Sequence, residues 1–228
     1  MRRTPTLIAV GFLFSFFTGR TQAAPRTIKD RVAEYGAIVQ RRLEPRFREA
    51  GVPYPPPSLV LIGFKQERLL EIYAAGADRI PHFICSYPVL AASGTLGPKL
   101  RQDDRQVPEG IYRLRALNPN SRFHLSLWID YPNRFDRTQA ATDGRTALGG
   151  EIMIHGRAVS KGCFAMGDPA AEDLFVLAAL VGIENVRIIF SPMDFRQRSL
   201  GDLPFDAPPW SRALYAEIKR ELVRYPRR

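Results

Sequence analysis

Apolar residues follow two rhythms along this chain. Between residues 28 and 49, Val32, Tyr35, Ile38, Val39 and Leu43 recur at helical spacing, with Asp30 placed to cap or charge the first turn and Pro45 set to end or kink the segment. The sequence GVPYPPP then reads as a stiff, non-helical connection. From Ser58 the texture changes to short runs rich in β-branched and aromatic residues: SLVLIGF, LLEIYAAG, PHFICSYPVLAAS, PEGIYRLRAL, FHLSLWIDYP, GGEIMIHG and NVRIIFSPM. Each has the composition of a strand, and the third is expected to bend at Pro88. In FHLSLWIDYP, Phe123, Leu125, Leu127 and Ile129 alternate with His124, Ser126, Trp128 and Asp130. Residues 169–181 interrupt the strands with a helix whose face carries Leu174, Ala178 and Val181. After a proline-rich stretch from Gly201, Trp210, Leu214, Ile218 and Leu222 recur at every fourth position, which predicts an amphipathic helix docked on the core.

Many short strands joined by turns, with one inserted helix and a helix at each end, predict a mainly β (α+β) domain built as a barrel or sandwich and not a parallel α/β sheet. The expected organisation is a leader over residues 1–23, a helix and proline-rich connection over 24–57, a catalytic domain over 58–193, and a proline-rich segment with the final helix over 194–228.

The leader is read from Arg2 and Arg3, the apolar run LIAVGFLFSFF and the small residues before position 24. Spanning a bilayer takes about 20 apolar residues, so the pattern fits a cleaved secretory signal, with an uncleaved anchor as the alternative. Either way the remainder is exported, to a periplasm if the cell has an outer membrane. No cysteine stands at the cleavage site to mark a lipoprotein.

Composition is that of a globular protein, with 45% hydrophobic residues, 25% charged residues and a formal net charge of +10. An exported basic chain meets acidic envelope material and not chromosomal DNA, although an arginine-rich solvated surface explains the charge equally well. No basic stripe interleaved with aromatics indicates nucleic-acid binding. With three histidines and two cysteines and no CxxC or HExxH spacing, no metal site or cofactor is expected.

The candidate chemistry lies in IHGRAVSKGC, residues 154–163. A strand delivers His155 at its end, Gly156 turns the chain where a side chain would obstruct, and the loop returns through Ser160, Lys161 and Gly162 to Cys163. A thiol is mostly protonated at neutral pH, and an imidazole beside it draws off the proton to give a nucleophile. The amides of Lys161, Gly162 and Cys163 are placed to converge as an oxyanion hole. Taken alone, a histidine and a cysteine close in sequence leave two readings open: a catalytic pair, or a strand end followed by a tight turn. A disulfide between Cys85 and Cys163 is a further possibility in an oxidising compartment; it would silence the thiol. Cys85, in the apolar FICSYPV, reads more simply as a small buried residue.

The stretch resembles the active-site signature of the L,D-transpeptidase (YkuD) family: His-Gly at a strand end, a variable loop, then Ser-x-Gly-Cys. The short loop, with Lys161 where many members have histidine, resembles the YafK-like branch. The likeness continues through SGTLGPKLRQDDRQVPEGIYRL, NPNSRFHLSLWIDYPNRFDR and SKGCFAMGD. It implies a YkuD-type fold and a cell-wall enzyme in which Cys163 is the acylated nucleophile and His155 its base. The implied partners are peptidoglycan stem peptides attacked at meso-diaminopimelate, with a wall-attached lipoprotein as a further candidate. Arg105, Tyr131, Asn133 and Arg134 lie in the branch's motifs, as cleft residues or as braces for the loop. An amine acceptor gives cross-linking or protein attachment, with consequences for cell shape, whereas water gives hydrolysis or lipoprotein release. Competing readings are a catalytically idle wall-binding module and a secreted cysteine peptidase acting on ordinary L-peptides.

Overall fold

The computed structural model describes residues 24–202 and 207–226; the proposed leader lies outside them. Helix α1 (Ile28–Glu49) starts at Thr27, whose hydroxyl accepts the Asp30 amide at 3.1 Å while the Asp30 carboxylate accepts the Thr27 amide at 2.7 Å. Pro45 was expected to end or kink this helix, yet the helix runs on to Glu49. One buried stripe, Val39, Leu43 and Phe47, continues across the proline and packs the last turn in place.

The strands are β1 (Ser58–Phe64), β2 (Leu69–Ala75), β3 (Pro81–Pro88), β4 (Ala91–Ala92), β5 (Gly110–Ser121), β6 (His124–Ile129), β7 (Met153–His155), β8 (Phe164–Ala165) and β9 (Val186–Ser191). They form a nine-stranded sheet in the order β3-β2-β1-β9-β5-β6-β7-β8-β4. Two pairs are parallel, β1 with β9 and β7 with β8; the other neighbours are antiparallel. Long β5 joins the two halves. Its first residues pair with β9 and the rest with β6, and the register slips between Leu114 and Ala116 where the partner changes.

The α+β class is as expected, but the sheet does not close into a barrel, because β3 and β4 are left as its two edges. Helices cover its central strands on both faces. On β1, Leu59 and Leu61 face the core shared with α1 and with α3 (Asp168–Val181), whereas Ile62 and Phe64 face α4 (Ser211–Leu222). β9 splits in the same way, with Val186, Ile188 and Phe190 against Ile189. Two-sided burial explains why SLVLIGF and VRIIF read as nearly unbroken apolar runs. The final helix docks as its spacing predicts, through Leu214, Tyr215, Ile218 and Leu222.

Helix α2 (Arg134–Thr142) was not foreseen. It buries only Ala140 and so carries almost no apolar period. Its one sequence signal is the capping box of Asn133 and Asp136, in which each side chain accepts the other's backbone amide.

A buried pair ties the sheet to α4. Lys65 Nζ donates to Glu109 Oε1 at 2.8 Å and to the carbonyls of Gly97 and Val107. Glu109 also accepts from Gly97 N at 2.8 Å and Tyr215 Oη at 2.6 Å. The segment leading to the candidate site is therefore fixed from behind.

Candidate active site

The parallel pairing of β7 and β8 sets Ile154 opposite Phe164 and His155 opposite Ala165. Ile154 and Phe164 point into the core. Strand alternation then sends His155, Ala165 and the preceding Cys163 to the other face. His155 and Cys163 both line a cleft of about 590 Å³, together with Asp103, Phe123, Glu151, Met153 and Lys161.

His155 is only 1% exposed. Its Nδ1 lies 2.6 Å from the Gly156 carbonyl oxygen, which only accepts, so Nδ1 carries the proton and Nε2 keeps its lone pair. Phe123 stacks on the ring at 4.5 Å between centroids, 28° from parallel. Burial pushes the imidazole pKa below its ordinary value, against the opposing effect of the Gly156 carbonyl. His155 is thus a neutral base in a fixed tautomer. A Cβ at Gly156 would lie 2.6 Å from Asp168 Oδ1 and 2.7 Å from the Phe123 carbonyl, so any side chain there would displace the base.

Cys163 is 6% exposed, with Sγ 3.8 Å from the Glu151 carbonyl. Burial raises its pKa; the Met153 backbone and the Lys99 ammonium pull it down, and the Glu151 carboxylate pushes it up. The resting pair is therefore neutral imidazole and neutral thiol. Both cysteines are free, and burial holds Cys85 as a thiol with a pKa of about 11.

The loop amides do not converge as an oxyanion hole. Cys163 N–H donates to Ser160 Oγ at 3.0 Å, and Gly162 N–H to Ser93 Oγ at 2.6 Å. Both hydroxyls pass their own protons to carbonyls, Ser160 to Cys163 O at 2.6 Å and Ser93 to Arg105 O at 2.8 Å. Short polar side chains reach nearby backbone donors before any substrate oxygen arrives.

The remaining candidates separate. Arg105 and Lys161 line a second cavity of about 870 Å³, with Lys99, Asp103, Arg137 and Glu151; it adjoins the cysteine cleft through Asp103, Gly150, Glu151 and Lys161. Tyr131 is not a cleft ligand: it is buried, and its hydroxyl donates to the carbonyls of Lys99 and Leu148, both at 3.3 Å. Asn133 is likewise a brace, capping α2 and donating to the Ile111 carbonyl. Arg134 is exposed at the start of α2 and lines neither cavity, although Pro132 and Arg137 beside it line the larger one. His82 and His124 contact Asp78 and Glu172 outside the site. Phe123 and Ser93 were missed as site residues, and their only signal was their place in the motifs SRFHLSLW and SGTLGPK. Among the described residues no cluster of histidine, cysteine, aspartate and glutamate is suited to a metal ion, and no helix is long and apolar enough to cross a membrane.

His155 ends β7 and Cys163 directly precedes β8, so adjoining strands of a mixed sheet bring an imidazole and a thiol to one cleft. The YkuD family model, described as the L,D-transpeptidase catalytic domain, matches residues 58–188, and the chain belongs to that family. It is 37% identical over 134 residues to the YafK protein of Escherichia coli (strain K12), covering 57% of this chain and 52% of that one. The chain thus spans about half the length of the curated relatives it matches. Among solved structures it is similar to the helical cell shape determining protein Pgp2 of Campylobacter jejuni, with 17% identity, a TM-score of 0.49, and 74% and 70% of the two chains covered. It is also similar to Bd1075 of Bdellovibrio bacteriovorus, at 19% identity, a TM-score of 0.43, and 74% and 55% coverage.

Proposed function

We propose that this chain is an exported enzyme that acts on peptidoglycan stem peptides through a Cys163 acyl-enzyme. The observation that carries the reading is the β7–β8 pairing, which sets a tautomer-fixed histidine and a buried thiol on one face of one cleft. In the forward step Nε2 of His155 takes the thiol proton while Sγ bonds to the carbonyl carbon of the L-centre of meso-diaminopimelate. The amide C–N bond to D-alanine breaks, and His155 returns the proton to the departing amine. An acceptor amine, deprotonated by the same imidazole, then attacks the thioester and frees Cys163.

The adjoining cavity supports a charged substrate, since Arg105, Arg137 and Lys161 face it alongside Asp103 and Glu151. Such mixed charge suits stem peptides, which carry both free carboxylates and free amines.

The test uses the chain lacking residues 1–23 and its Cys163→Ala variant on two wall preparations, one rich in free tetrapeptides and one carrying attached lipoprotein. Products are read by mass spectrometry. New cross-links or D-alanine exchange, absent with the variant, support transfer to an amine. Released lipoprotein or shortened stems without new bonds assign water as the acceptor. Identical products from both proteins overturn the thiol mechanism.

A further inference from the structure

The Ser93 hydroxyl joins three segments through one atom. It lies just past β4, accepts the amide of Gly162 in the nucleophile loop at 2.6 Å, and donates to the Arg105 carbonyl at 2.8 Å. Its oxygen is 3.5 Å from Ser160 Oγ, which in turn holds the amide and carbonyl of Cys163. Gly162 has φ of 98°, a left-handed conformation that is held only where its surroundings fix it. A Cβ on Gly162 would come 3.2 Å from the Gln106 carbonyl, so the loop is also packed closely against the segment that Ser93 grips.

That segment is charged and faces the second cavity. Residues 99–106 wrap the Asp104 carboxylate, which accepts from Lys99 Nζ at 2.6 Å and from the amides of Leu100, Arg101 and Gln106. Gln102, Asp103 and Arg105 line the 870 Å³ cavity. Whatever moves this turn pulls on the Arg105 carbonyl, and through Ser93 on the residue next to the nucleophile.

We infer that Ser93 is a positioning residue: its hydroxyl holds the Cys163 loop at the distance from His155 that acyl transfer needs, and links that distance to the wall of the charged cavity. The inference rests on Cys163 being the nucleophile. Ser93 itself makes no bond with the reacting atoms.

The test compares wild type, Ser93→Ala and Ser93→Thr by two mass-spectrometric readouts at Cys163. The first is the pH profile of carbamidomethylation by iodoacetamide, which needs only an accessible thiolate. The second is acylation by a carbapenem, resolved into a maximum rate and a half-saturating concentration. Without the hydroxyl the loop loosens, water reaches the thiol, and alkylation at neutral pH becomes several-fold faster with a midpoint at lower pH. Acylation moves the other way, its maximum rate falling on the order of tenfold, the worth of one hydrogen bond. Ser93→Thr keeps the oxygen and restores both. Wild-type rates for Ser93→Ala in both readouts overturn the inference, as does a fall in acylation that Ser93→Thr shares and that tracks a lower melting temperature. Loss of the nucleophile reading looks different: carbapenem then fails to acylate the wild type, or acylates Cys163→Ala equally.

Discussion

Cys163 and Ser160 bond to each other twice: the Cys163 amide donates to Ser160 Oγ at 3.0 Å, and Ser160 returns its own proton to the Cys163 carbonyl at 2.6 Å. Cys163 thereby sits at the end of a closed polar turn and is held in place by it.

Ser160→Ala removes both bonds and leaves a buried amide and carbonyl unpaired. An unmade hydrogen bond at a buried group costs about 1–3 kcal/mol. The expected outcome is a fall in carbapenem acylation of about tenfold or more, with the unfolding free energy in urea lower by about 1–3 kcal/mol. Acylation at the wild-type rate would show that the turn holds its shape through packing alone.

The pH dependence follows from the two shifts at the site. Burial lowers the His155 pKa and raises that of Cys163, so the imidazole is already deprotonated at neutral pH while the thiol still holds its proton. Alkylation of Cys163 by iodoacetamide in the wild type should therefore keep rising as pH climbs through and beyond the ordinary thiol range. A preformed thiolate–imidazolium pair behaves differently, since such thiols have pKa values of roughly 3.5–7.5 and react at a plateau above them. A plateau at neutral pH would contradict the neutral resting pair.

What was legible in the sequence is what local chemistry encodes. The helical period from Val32 to Leu43 and the fourfold spacing from Trp210 to Leu222 mark elements whose burial is one-sided, and both appear as helices. His155 and Cys163 were singled out as a candidate pair because the glycines and serine between them suit a returning loop, and the resemblance to the YkuD signature chose that reading over a plain tight turn. The open sheet was hidden because a strand buried on both faces reads the same under a second sheet as under helices. Tyr131 and Asn133 were left open between cleft and brace for a related reason: the sequence shows their hydrogen-bonding groups but not that backbone carbonyls and amides already occupy them. The oxyanion expectation failed at the same level, since nothing local says that Ser93, 69 residues away, reaches Gly162.

The Lys65–Glu109 pair links the candidate site to the final helix, and its side chains are 5% and 0% exposed. Burial pulls the Lys65 pKa down, and the neighbouring Glu109 carboxylate pulls it back up. Breaking a buried pair from one side strands a charge, a loss of about 3–5 kcal/mol. Lys65→Met should show that loss in urea unfolding, while Lys65→Met with Glu109→Gln should recover a substantial part. If the double variant is as unstable as the single, the contacts to Gly97, Val107 and Tyr215 matter more than the charge.

Asp136 gives the fold a pH signature separate from the thiol. Its carboxylate, half-buried in the first turn of α2, accepts from Tyr112 Oη at 3.2 Å and from the Asn133 amide at 2.9 Å. Burial raises its pKa from 3.8 to about 6, the two hydrogen bonds opposing the shift without cancelling it. A group with a raised folded-state pKa binds its proton more tightly when folded, so its contribution to stability is complete below the unfolded value and is lost as pH rises through the folded one. The expected result is a loss of stability from this group as pH rises from about 4 to about 6, set against the opposite trend from the carboxylates whose pKa is lowered, such as Asp104. Asp136→Asn removes the titration and keeps an oxygen for the capping amide. Its unfolding free energy in urea should therefore gain on that of the wild type as pH increases across this window. Parallel curves for the two proteins would mean that Asp136 is already ionised throughout, with water reaching its carboxylate from the direction of Pro132 and Arg137.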